Sequence, residues 1–146
     1  RDPVEHPVCA QNMRSYLVHE HRHIPEITQT LGIAPETIDF MPSVGPFLRG
    51  IFATAFIRTQ AGTDRALTSY ETEAFIRHRQ EVNMTHVVST NFCDLSYHEG
   101  HGGCVIAQGA LDNLLKGASG TAVQNMNLMC GHDEMSGLHF DTPIYP

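Results

Sequence analysis

His98-Glu99-Gly100-His101-Gly102 lies between two apolar runs, one from His86-Val87-Val88 through Leu95 and one over Gly103–Ala110. Glycine accepts positive φ at little steric cost, so this loop suits a hairpin turn and the flanking runs read as two strands. Upstream, Gly50-Ile51-Phe52-Ala53-Thr54-Ala55-Phe56-Ile57-Arg58-Thr59 is β-branched and aromatic, and reads as a mostly buried strand. Ser15–Glu20, with Tyr16, Leu17 and Val18, reads as a further short strand. Pro25–Leu31 is a short helix by its signals: proline in the first turn, Glu26 where a carboxylate suits the dipole, and Gly32 as left-handed terminator. The segment from Pro35 to Pro46 is turn-rich, and Asp64–Glu73 is weakly helical, leading to a buried tail at Phe75-Ile76. Downstream of the hairpin, Leu114, Leu115, Ala118, Ala122, Met126 and Met129 recur at helical spacing up to Gly131. Gly117 and Gly120 each weaken a helix by about 1 kcal/mol, so their presence implies close approach of a backbone or a ligand. Strands with a few helices in no strict alternation define an α+β domain.

The chain has 146 residues, 41% hydrophobic and 17% charged, an ordinary globular balance with room for one core. Its net charge of -7 argues against nucleic acid and anionic membrane as partners, since both reward basic surfaces. No apolar stretch approaches the roughly 20 residues of a membrane span, and no signal peptide is visible. The expectation is a soluble chain. Arg1–Pro3 opens with no start signal, which suggests a fragment or a processed chain. Cys9, Cys93, Cys104 and Cys130 form no CxxC pair, and the spacing reads as four reduced cysteines in a cytoplasmic setting.

Two clusters carry chemistry. In Val18-His19-Glu20-His21-Arg22-His23-Ile24-Pro25-Glu26 three histidines alternate, and on an extended chain they would point to one side. They read as metal ligands, as an acid/base group with neighbours for a substrate anion, or as polar residues at a strand end with no role. In Asp112–Asn127 a strand runs into a glycine-bearing helix start, whose unpaired N–H groups suit a phosphate, a carboxylate or a nicotinamide carboxamide. A buried helix with small residues for packing is the alternative reading of this pattern.

Five motifs in order resemble N-acetyl-γ-glutamyl-phosphate reductases across nearly the whole chain. His21-Arg22-His23-Ile24-Pro25-Glu26 is similar to the family's HRHxPE, and Arg49-Gly50-Ile51 to its RGI. Asn91-Phe92-Cys93-Asp94 matches NFCD, Asp112–Asn127 is similar to DNLxKGAxGxAVQxMN, and Gly137-Leu138 matches the closing GL. The resemblance implies an enzyme of arginine biosynthesis that reduces N-acetyl-γ-glutamyl phosphate to its semialdehyde with NADPH and releases phosphate. It implies His23 as acid/base partner of a cysteine thiolate, His21 and Glu26 as substrate-pocket residues, and Arg49 as a fork for the substrate's carboxylate or phosphate. It implies that Asn113, Gly117 and Ala118 face the nicotinamide of NADP. The fold it implies is a mixed, mostly antiparallel sheet with helices on one face, like the carboxyl-terminal domain of glyceraldehyde-3-phosphate dehydrogenase. Residues 1–111 would be the substrate-binding and dimerisation domain, and 112–146 a helix segment packed on a nucleotide-binding domain. A homo-oligomer is expected. A sister reductase of carrier-held aminoadipyl or glutamyl phosphate shares the motifs, and a His-rich metal-binding module or a non-catalytic oligomerisation fragment are readings of other classes.

The departures are specific. No cysteine here has the GCYPT context of the family's nucleophile, the GxxGxxG turn is missing, and SGxSGAGR would precede residue 1. The stretch near Gly62 is shorter than the family's. By this reading the chain alone does not transfer hydride.

Overall fold

The hairpin expected around His98–Gly102 is the spine of a four-stranded sheet in the computed structural model, which describes residues 11–59, 63 and 68–138. Its arms are β5 (Cys93–Glu99) and β6 (Cys104–Leu111), paired antiparallel from Glu99↔Val105 to Cys93↔Leu111. Gly102 and Gly103 turn the chain at φ 66° and 74°, and Gly100 N–H closes the loop on the Cys104 carbonyl at 2.7 Å. β3 (Ile51–Arg58) pairs antiparallel with the other side of β6, and β4 (Ile76–His78) adds parallel to β5, giving the order β3-β6-β5-β4. The sheet is mixed and mostly antiparallel, as expected.

The chain divides into two compact units, Arg1–Leu48 and Arg49–Pro146. In the second, the buried apolar residues are Phe75, Val87, Val88, Val105, Ala110 and Leu138. Polar groups are buried among them with partners. Asp94 Oδ1 accepts from Arg77 Nε at 2.6 Å, with Arg79 Nε 3.5 Å from Oδ2, and Ser96 Oγ lies 3.3 Å from Gln108 Oε1. Asn91 Nδ2 donates to the Leu138 carbonyl at 3.1 Å, so the NFCD and GL motifs are physically tied.

Two expectations are corrected in this unit. β3 was expected to be mostly buried, yet all eight of its residues are exposed, Phe56 by 73%. It is the edge strand of the sheet. The run from His86 to Leu95 becomes a strand only at Cys93, because the backbone before it bonds elsewhere. Met84–His86 is a 3-10 turn capped by Asn83 Oδ1 on Thr85 N–H at 2.9 Å, and Ser89, at φ 64°, donates its N–H to the Asp112 carboxylate at 2.6 Å. Phe75 is buried, as expected of the Phe75-Ile76 tail, and Ile76 opens β4. Of the expected helix Asp64–Glu73, residues 64–67 lie outside the described residues, as does Cys9.

The helical tail opens on a π-helical turn, Leu115–Ser119, and continues as α2 (Gly120–Cys130), which Gly131 ends at φ 71°. The close approach expected at its glycines is present. A Cβ on Gly120 would collide with Asn91 Oδ1 and lie 3.0 Å from the Leu115 carbonyl. Gly120→Ala is therefore expected to destabilise the protein by about 1–3 kcal/mol despite alanine's better helix propensity, read as a lower melting midpoint. An unchanged midpoint would mean that the Asn91 side chain swings aside freely.

In the first unit β1 (Arg14–Ser15) pairs antiparallel with β2 (Ser43–Val44). The strand expected over Ser15–Glu20 stops at Ser15: Leu17 and His19 adopt φ 45° and 59°, so the chain turns there and the three histidines do not share an extended face. α1 (His23–Leu31) begins two residues before Pro25, and Gly32, at φ 64°, terminates it as expected.

Candidate functional site

The first unit gathers two of the expected site residues at the start of α1. His21 is half-buried in the loop before the helix, and its Nδ1 faces the N–H of His23 at 3.3 Å. That ring nitrogen serves one of the orphan donors that every helix start leaves. As an acceptor, Nδ1 carries no proton, so in the neutral ring the proton resides on Nε2. Rings of Tyr16 and Phe40 flank His21 with centroids 5.7 and 5.4 Å away, and the His23 ring stands edge-on at 4.6 Å. His23 itself is exposed, as is Glu26 one turn on. The arrangement is one fixed imidazole beneath one solvent-facing imidazole, with a carboxylate on the same short helix. His19 belongs to the preceding turn, 3.7 Å from Asp39. No group of three metal-ligating side chains forms among the described residues.

The second unit gathers Arg49 and Asn113, and the residue that joins them is Asp112, which belongs to a motif but was given no role of its own. Its side chain is 0% exposed. Oδ1 accepts from Arg49 Nη2 at 2.9 Å, Leu114 N–H at 2.8 Å and Leu115 N–H at 3.1 Å. Oδ2 accepts from Ser89 N–H at 2.6 Å and forms an ion-pair contact with Arg49 Nε at 2.7 Å. Burial works to raise the Asp112 pKa, but the guanidinium and the three N–H groups outweigh it and hold the carboxyl below its ordinary value. Arg49, expected to offer a free fork to a substrate anion, has that fork filled by Asp112. The available signal was an Asp at the end of an apolar strand and before a helix start, which is a capping position.

Asn113 Oδ1 accepts the N–H of Gly50 at 2.7 Å, leaving its Nδ2 amide to offer outward. Gly117 and Ala118 lie exposed on the π turn, where Ser119 N–H reaches back to the Leu114 carbonyl at 3.0 Å. Single π turns are rare and concentrate at functional sites. Lys116 fixes the turn from inside: Nζ donates to Gln124 Oε1 at 2.8 Å, and Gln124 donates to Glu134 at 2.5 Å. Burial pushes the Lys116 pKa down, and burial likewise pushes the nearby Cys93 thiol up despite the Lys116 charge. Burial thus disfavours the thiolate at Cys93, the opposite of what activates a nucleophile.

Residues 2–113 match the family described as semialdehyde dehydrogenase, dimerisation domain. The chain is 41% identical over 143 residues to the N-acetyl-γ-glutamyl-phosphate reductase of Pelodictyon phaeoclathratiforme, covering 90% of this chain and 43% of that protein. It is 40% identical over 149 residues to the reductase of that name from Archaeoglobus fulgidus, covering 97% and 44%, and 42% identical over 150 residues to that of Geobacillus kaustophilus, covering 93% and 43%. The chain thus spans less than half the length of these relatives. The five ordered motifs, the mixed sheet and the matched residues agree: the chain belongs to the semialdehyde dehydrogenase family, whose dimerisation domain it carries.

Proposed function

We propose that this chain is the substrate-binding and dimerisation part of an NADP-dependent N-acetyl-γ-glutamyl-phosphate reductase of arginine biosynthesis, working in the cytoplasm as a homo-oligomer. The observation that carries the reading is the paired His21 and His23 at the head of α1, one imidazole held by the helix and the other open to solvent. In the complete reductase, which adds a nucleotide-binding domain and a nucleophilic cysteine, the acyl phosphate is taken up as a thioester with loss of phosphate. When bound, NADPH would supply hydride chemistry at the thioester carbon, with Asn113, Gly117 and Ala118 the residues of this chain that would face its nicotinamide. His23 accepts the thiol proton as the nucleophile forms and returns a proton to the thiolate when the cycle closes. His21 and Glu26 hold the substrate. Arg49, with its fork taken by Asp112, contributes by position rather than by touching the substrate.

Asn113, Gly117 and Ala118 face the nicotinamide. This fits the structure, because the π turn exposes small residues and the Asn113 Nδ2 amide can donate to a carboxamide oxygen. The exposed face of Leu114, Ala118, Ala122 and Met126 packs on the nucleotide-binding domain, which makes 112–146 the contact segment and 1–111 the substrate and dimer part. The test is the reverse reaction of the complete reductase, phosphate-dependent reduction of NADP by N-acetylglutamate semialdehyde. Turnover that needs phosphate and favours the N-acetyl substrate is expected. Faster turnover of an aldehyde held on a carrier protein would assign the chain to the sister reductases instead.

A further inference from the structure

We propose that Asp112 is a positioning residue that, with Arg49 as its counter-charge, aims the turn Asn113–Ala118 at the nicotinamide; this rests on the reading of that turn given above. The ladder between β3 and β6 has Ile51↔Leu111 as its last pair, and beyond it side chains take over. Asp112 grips the Arg49 guanidinium, and Asn113 grips the Gly50 N–H, so the two residues after β6 are clamped to the two residues before β3. Gly50 sits at φ 108°, a backbone conformation that strains any residue with a Cβ, so the clamp favours glycine there. The same carboxylate caps the first two N–H groups of the turn, at Leu114 and Leu115, while the Asp112 carbonyl receives Gly117 N–H at 2.9 Å. The turn is therefore tied to the sheet and, through Ser89, to the 84–90 loop, as well as to the following helix through Lys116 and Gln124.

The residue type follows from the donors. Donors converge on both carboxylate oxygens, which between them have about four acceptor sites and no proton. An asparagine keeps one oxygen and brings an NH₂ that meets donors on whichever side it takes: Arg49, Leu114 and Leu115 on one, Ser89 on the other. Arg49→Lys is the milder change, since it retains the charge and loses the fork.

The experiment measures dissociation constants of the complete reductase for NADPH and for 2′,5′-ADP, which contains the adenosine half and no nicotinamide. A small misplacement of a positioning group is costly at a reacting centre. Arg49→Lys and Asp112→Asn are expected to weaken NADPH by about tenfold and to leave 2′,5′-ADP within twofold, whereas general damage would weaken both. Asn113→Ala tests the underlying reading separately. If it leaves NADPH binding unchanged, the turn does not face the nicotinamide and the proposal falls with that reading. If Asn113→Ala weakens NADPH and Arg49→Lys does not, the positioning role alone is overturned. Equal weakening of both ligands in a folded Arg49→Lys protein also overturns it. Should Asp112→Asn fail to fold, Arg49→Lys decides.

Discussion

Replacing His23 with asparagine is expected to lower kcat of the proposed complete reductase by about 10²–10⁴-fold and to leave its melting temperature nearly unchanged. Asparagine retains the size and some hydrogen bonding but cannot titrate, and general acid/base help is typically worth that factor. His23 is exposed, so little packing is lost. His21→Asn acts differently. It removes the ring that serves the His23 N–H and that packs between Tyr16 and Phe40, and it raises KM more than it lowers kcat. The two rings are 4.6 Å apart, so a general disturbance of the loop would produce one defect in both variants. Steady-state kinetics with melting temperature as control separates the cases. Near-normal kcat in His23→Asn, or the same defect in both, removes the catalytic role.

Asp112→Ala is expected to cost about 3 kcal/mol near neutral pH, at the lower end for breaking a buried pair because Arg49 keeps 28% of its side chain exposed. The cost depends on pH with a definite sign. An unfolded Asp titrates near 3.9, and the folded Asp112 below its ordinary value, so its stabilisation is complete above pH about 4. It is lost as pH falls through the lower, folded value. Thermal midpoints of the wild type and the variant should converge in strong acid and stand furthest apart at neutral pH. A gap that does not change with pH would mean that charge at Asp112 contributes nothing.

Residues whose partners lie close along the chain were legible, and those whose partners lie far away were not. Gly32 and Gly131 ended their helices where expected because a left-handed terminator is a local property. The β5–β6 hairpin likewise follows from its own glycines. β4 has three residues and a parallel partner 17 positions on, which no period can announce. The exposure of β3 depends on its place at the sheet edge, not on its composition, which reads as core. At the site, the His21–His23 pair was visible as a motif, but its geometry came from a turn at Leu17–Glu20 rather than from an extended strand. Asp112 was hidden because its partners Arg49 and Ser89 are 63 and 23 residues away.

The most direct measurement is the pH dependence of alkylation of the reductase's nucleophilic cysteine by iodoacetamide. A free thiol titrates near 8.5, and an imidazole partner brings the thiolate to lower pH. With His23 in place the midpoint should lie clearly below that value. In His23→Asn it should return to about 8.5, while His21→Asn should leave it low. The same midpoint with and without His23 would contradict the assignment of this chain as the supplier of the acid/base histidine.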